Sequence, residues 1–399
     1  MIESLLIDLP VVACAVCTAL LLMTLHRRPS AARGWLCVFF AVTTTLYLGH
    51  DFFFKRETQC LPLTDSLYAT CNLLVYPLFY IYVCELTESR PHRWRHALLL
   101  ILPVAMGIGI GVIYRLMSDD ETTHFIDHYL YHTQAYSSFT GIERWQVGLH
   151  AAAKVLFAIE VVGVMVAGVW KIKRFNRRVE QFYANTEGRT VEPMQWLLIA
   201  FVATSVASIA ANAIGRAWFV QSVWLLAIPS LGFTILLVWL AYLGMNQDFT
   251  ARQLEQEALE VPTAEINFEI KPEFEPPTES EATNLAQPNV AGTVDDGSKN
   301  NDLFERIKAL VVSEKLYLRP DLKVMDLTQI LNSNRQYVYE AINSHTDMSF
   351  AEFINRLRIE HAEKLMRDCP DLTMAEVAER SGYHSLSSFY RNRKKFGKL

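Results

Sequence analysis

The sequence contains little that catalysis would need. It has no phosphate-cradling Gly-rich loop, no nucleophile motif and no receiver or kinase pattern, so no enzymatic activity and no cofactor is expected. Cysteine is sparse, with seven in 399 residues: Cys14, Cys17, Cys37, Cys60, Cys71, Cys84 and Cys369. Six lie in or beside apolar segments, where a thiol behaves as a small hydrophobe. Cys14 and Cys17 have redox or metal spacing, but they sit inside an apolar run without a second pair and read as packing. Cys60 has no extracellular partner, which excludes a disulfide framework. The N-terminus also lacks a cleavable-signal layout, because Glu3 and Asp8 precede the first apolar run and Arg27 and Arg28 follow it.

Charge is unevenly distributed. Residues 1–244 carry 18 Lys and Arg against 16 Asp and Glu, for a net of +2. Residues 245–302 carry 3 against 13, for −10, and residues 303–399 carry 16 against 13, for +3. These are three different objects: 1–245, 246–302 and 303–399.

In the first, apolar runs at 5–25, 34–54, 66–86, 97–115, 148–170, 195–215 and 223–244 are each about the 20 residues a helix needs to cross a bilayer. The expected fold is all-α: a polytopic seven-helix transmembrane bundle, a disordered acidic linker and a cytoplasmic all-helical domain. Seven spans put the two ends on opposite sides. With the N-terminus outside, the inner loops hold 12 Lys and Arg and the outer loops 5. The positive-inside rule therefore predicts a multi-pass protein of the cytoplasmic membrane with its C-terminus in the cytoplasm.

Two places in this part suggest reception of a signal. His124, His128 and His132 recur every four residues in the long outer loop, so a helix would stack them as a metal site or pH sensor. The interleaved Phe125, Tyr129, Tyr131 and Tyr136 also suit an amphipathic helix at the membrane surface. Glu160 lies near the middle of the fifth run, where a carboxyl is costly, and Asn72 and Asn212 are the other polar groups at depth. Glu160 is then either functional or hydrogen-bonded glue between helices.

The stretch 246–260 reads as a helix continuing from the last run. Residues 261–301 are rich in Pro, Glu, Asn and Thr, which predicts a disordered tether with a root-mean-square reach of roughly 35 Å.

The last part carries a repeated pattern. A short helix at 324–332, a turn at Ser333 and a helix at 334–344 recur as a helix at 373–383, a turn at His384-Ser385 and a helix at 386–396. The long amphipathic helix 349–366 joins them through Phe350, Phe353, Ile354, Leu357, Ile359, Ala362, Leu365 and Met366. Ala378 and Gly382 supply the small residue and the sharp turn of a helix-turn-helix. Two such units on one rigid helix form a reader of double-stranded DNA.

FINRLRIEHAEKLM followed by VAERSGYHSLSSFYRNRKK resembles the DNA-binding domain of the AraC family, over about 303–399. Arg393 departs from the packed aromatic usual in that family. The chain also ends at Leu399, before the usual Gly-x-x-Pro-x-x-Tyr-Arg close, so a less tightly packed second unit is expected.

Ser333 and Gln336 read as a capping box that starts the first recognition helix at Asn334. Asn334, Arg335, Gln336 and Tyr339 then face base edges, with Val338, Ala341 and Ile342 toward the core. In the second unit Ser385, Ser387, Ser388, Arg391 and Asn392 are the readers, Phe389 packs inward, and Lys394, Lys395 and Lys398 meet phosphate. The expected partners are promoter DNA, the lipid bilayer and an extracellular or membrane signal, with a homodimer left open. A membrane receptor or transporter with a regulatory DNA-binding tail is the alternative.

Overall fold

The computed structural model describes residues 2–91, 93–132, 134–191, scattered positions between 196 and 206, 223–259 and 296–397. Most of the sixth apolar run, with Asn212, lies outside these residues, as do 261–295 of the expected tether and Lys398. Among the described residues the regular elements are all helices, and the chain divides into two compact units, Met1–Arg177 with Gly188–Glu255 and Arg178–Glu187 with Gln256–Leu399.

The first unit contains α1 (Ile2–Arg27), α2 (Ala31–Phe54), α3 (Leu61–Thr87), α4 (Arg93–Leu116), α5 (Asp119–Phe125), α6 (Gly141–Phe182), α7 (Val223–Asn246) and α8 (Ala251–Leu259), of which the ends of α6 and α8 belong to the second unit. Among the described residues, six helices are long and apolar enough to cross a membrane. α2 packs between α1 and α3, α4 packs on α3, and α7 packs on α1. Small residues let backbones close up here: a Cβ on Gly107 of α4 would fall 1.6 Å from the Thr70 Oγ1 of α3.

α7 does not run on into α8. The Arg33 guanidinium, itself buried, pairs with Asp248 and donates to the Gln247 and Met245 carbonyls, while Arg28 also pairs with Asp248. Those bonds hold 247–250 out of the helix, and Arg252 at the start of α8 pairs with Glu85 at the end of α3. The expected single continuing helix is therefore two helices with a clasped break between them.

Of the outer-loop histidines, His124 and His128 stack ring on ring as expected, whereas His132 lies at the end of the helical stretch and does not join them. The α5 helix gives way to a π-helical turn over Ile126–Tyr131, which changes the angular step per residue. This turn buries Phe125, Ile126 and Leu130 against Phe53, Tyr114 and Phe139.

The second unit contains α9 (Asp296–Ser313), α10 (Val324–Ile330), α11 (Arg335–Thr346), α12 (Phe350–Asp368), α13 (Met374–Arg380) and α14 (Leu386–Phe396). Residues 296–301, expected as the end of the tether, are the first turns of α9. Reciprocal capping boxes start α12 at Ser349 with Glu352 and α13 at Thr373 with Glu376. Those bonds hold the exposed Glu376 carboxyl below its usual range.

The two helix-turn-helix pairs share a backbone solution. The chain turns through a left-handed residue, Asn332 with φ 46° in the first and Gly382 with φ 81° in the second. The next amide then donates back into the preceding helix, Ser333 to the Thr328 carbonyl and Tyr383 to the Ala378 carbonyl, at 3.0 Å in each case.

Val338, Ala341, Ile342 and Phe389 are buried as expected, and the second core gathers Ile359, Ala362, Val377, Ala378, Tyr383 and Phe389. In α12 the expected apolar stripe needs correction. Leu357 is half-buried, whereas Asn355 and Arg358 are buried. Arg358 is 1% exposed; its guanidinium donates to the Tyr317 carbonyl at 2.7 Å and the Arg319 carbonyl at 2.8 Å, and lies over the Tyr383 ring. Burial pushes its pKa down to about 10, so it remains charged at neutral pH.

Candidate nucleic-acid interface

The first recognition helix is capped by Asn334, whose side chain accepts from the Gln336 amide at 3.0 Å, and α11 begins at Arg335. The expected Ser333–Gln336 box does not form. The Ser333 amide is committed to Thr328, and the Gln336 side chain donates forward to Glu340 at 2.8 Å. Asn334, Arg335 and Gln336 are exposed and Tyr339 is half-buried. Tyr337, absent from the sequence reading, is 58% exposed beside them. Helical phase alone did not settle it: with Val338, Ala341 and Ile342 as the inward stripe, 337 and 339 fall on the two flanks, about 100° either side of its centre.

The second recognition helix is capped by Ser385, which accepts from the Ser388 amide at 3.1 Å. Ser387, Arg391 and Lys394 are exposed, Ser388 is buried, and Asn392 donates to the Ser388 carbonyl of its own helix at 2.9 Å. Tyr390, also missed, is exposed on the same face as Ser387, Arg391 and Lys394. Lys395 pairs with Glu352 at 2.5 Å. Burial pushes the Glu352 carboxyl up, but the bonds from Lys395 and Ser349 outweigh it and leave its pKa below the usual range. Counted from their caps, the two helices match position for position, with Val338 opposite Phe389 and Tyr339 opposite Tyr390. Arg393 falls opposite the buried Ile342, and its guanidinium reaches the Met374 sulfur at 3.8 Å instead of entering a core.

Residues 327–398 match the family model of the helix-turn-helix domain, of the AraC type. That match runs from inside α10 to the end of α14 and takes in both recognition helices of the AraC-type domain. No curated protein and no solved structure matches the chain. The domain is a DNA-binding regulator domain and not a catalytic one.

A short segment from outside the AraC-type domain lies on it within the second unit. Tyr183 and Ala184 are buried, the Ala184 amide donates to the Leu322 carbonyl at 3.0 Å, and Asn355 of α12 donates to the Ala184 carbonyl at 2.8 Å. The Lys323 ammonium lies over the Tyr183 ring. Glu187 then accepts from the hydroxyls of Ser385, at 2.5 Å, and Ser387, at 3.0 Å.

In the first unit, His124 meets Glu143 at 3.0 Å and stacks on His128, while the His132 ring bonds back to the Asp127 carbonyl. The Glu160 Oε2 is buried with no hydrogen-bond partner among the described residues. Sequence reasoning missed a buried polar junction at Asp65, which accepts from the Tyr114 hydroxyl at 2.9 Å and meets His150 at 2.8 Å. The rings of Phe125 and Tyr129 flank His150. These groups were hidden because each stands at the edge of its apolar run. Among the described residues, the one group of three side chains close enough to share a metal ion is Cys84, Glu88 and His96. Glu88 is bonded to the Lys171 ammonium, which already neutralises it.

Proposed function

We propose that the protein is a membrane-embedded, sequence-specific transcription regulator whose seven-helix module receives a signal and whose AraC-type domain binds promoter DNA. The observation that carries this reading is the pair of matched recognition helices with exposed Arg335, Gln336 and Tyr337 on one and Ser387, Tyr390 and Arg391 on the other. Six long apolar helices among the described residues of a chain with such a domain support the membrane placement, and the excess of Lys and Arg in the inner loops supports a cytoplasmic C-terminus. Asn334 takes part as the cap that aims the first turn of α11, while Arg335 reads guanine through paired hydrogen bonds. Lys394 and Lys395 meet phosphate, and Lys395 exchanges Glu352 for it. Glu160 and the histidines 124, 128 and 132 are the groups in the apolar unit through which a signal would act.

Arg335→Ala is expected to cost about 1–3 kcal/mol of binding at sites recovered by genome-wide mapping of bound DNA, and to relax preference at one base pair. Binding of the full chain to single-base variants of such a site checks this. Equal weakening at every variant would assign Arg335 to phosphate instead.

Topology has its own test, because Cys60 and Cys369 are the two exposed thiols among seven. A membrane-impermeant maleimide applied to intact cells is expected to label Cys60 and to reach Cys369 only after permeabilisation. The reverse pattern would invert the orientation.

A further inference from the structure

The geometry points to residues 183–187 as a built-in competitor of DNA, with Glu187 holding the donors on α14 that a DNA phosphate would use. The inference rests on the DNA-binding reading above. The first turn of α14 offers the Ser385 and Ser387 hydroxyls at the positive end of an 11-residue helix, the chemistry that receives a phosphate oxygen. In this structure a carboxylate sits there and takes both hydroxyls.

It is not a stray surface contact. The backbone of the same segment is bonded on both sides at Ala184, by the Leu322 carbonyl and by the Asn355 amide, and Tyr183 is buried against the domain with Lys323 over its ring. Asn185 accepts from the Glu187 amide at 3.1 Å, which forms the tight turn that carries the carboxylate to the helix end. One group of donors cannot serve Glu187 and a phosphate at once, and a seated carboxylate also repels the DNA backbone. Binding of DNA by the second recognition helix therefore requires this segment to leave. Because the segment directly follows α6, whatever displaces the end of α6 changes how readily it leaves.

The test compares three full-length proteins in detergent: the wild type, Glu187→Gln and Ala184→Pro. The first substitution removes the carboxylate's charge. The second removes the amide bonded to Leu322 without changing charge, and so separates release of the segment from a general electrostatic gain. Affinity for a mixed-sequence duplex of about 40 base pairs is read by fluorescence anisotropy at low salt. Both variants are expected to bind about three- to tenfold more tightly than the wild type, the scale of one or two net hydrogen bonds. In the wild type, hydrogen exchange at the Ala184 amide is expected to speed up when the duplex is added. Unchanged affinity in both variants, or Ala184 exchange unaltered by saturating duplex, overturns the inference and leaves the DNA-binding reading standing. No binding by any of the three proteins overturns both.

Discussion

Arg358→Leu is expected to destabilise the AraC-type domain by about 2–4 kcal/mol. The guanidinium is the common partner of the Tyr317 and Arg319 carbonyls and also covers the Tyr383 ring, so one side chain ties the connection before α10 to the second helix-turn-helix. Leucine removes the cost of holding a charge in a nearly water-free site, which offsets part of the loss. It leaves Tyr317 without its donor, whereas Arg319 still accepts from the Leu322 amide. Arg358→Lys should fall between the two, because an ammonium keeps the charge but cannot span both carbonyls with a planar fork. Hydrogen exchange over 316–396 reads the effect, and the expected result is loss of protection in both helix-turn-helix pairs together. Protection lost in the second pair alone would mean that Arg358 serves only Tyr383.

Gly382→Ala is the second large effect, also about 2–4 kcal/mol, but confined to the second pair. The residue has φ 81°, and a Cβ there would lie 2.7 Å from the Leu318 carbonyl oxygen and 2.9 Å from its carbon, both backbone atoms that cannot swing aside. Left-handed strain and overpacking therefore add. Asn332 is the internal control. It has the same hand at φ 46° yet already carries a side chain, so Asn332→Gly should change stability by no more than about 1 kcal/mol. Denaturant midpoints of the two variants check the contrast. A Gly382→Ala midpoint equal to the wild type would show that Leu318 yields.

Much of this could be read in the residues, for definable reasons. The inward positions Val338, Ala341, Ile342 and Phe389 follow helical spacing, and Gly382 marks its own turn. What stayed hidden involves polar groups whose partners are distant in sequence. Arg358 and Asn355 look like surface positions on an amphipathic helix, and only the carbonyls of Tyr317, Arg319 and Ala184 make them interior ones. The Asn334 cap was obscured by Ser333, which satisfies the capping pattern on paper but has its amide drawn to Thr328 by the left-handed Asn332. The docking of 183–187 leaves no periodic trace, since it depends on one backbone position and one carboxylate.

The contact of Gly107 with Thr70 bears on how α3 and α4 can move against each other. The Thr70 side chain of α3 fills the space that glycine leaves on α4, so at that point the two helices touch directly and a displacement imposed on one is passed to the other. The unit therefore has fewer independently moving parts than helices. A side chain at position 107 would not retune that joint; it would separate its two halves.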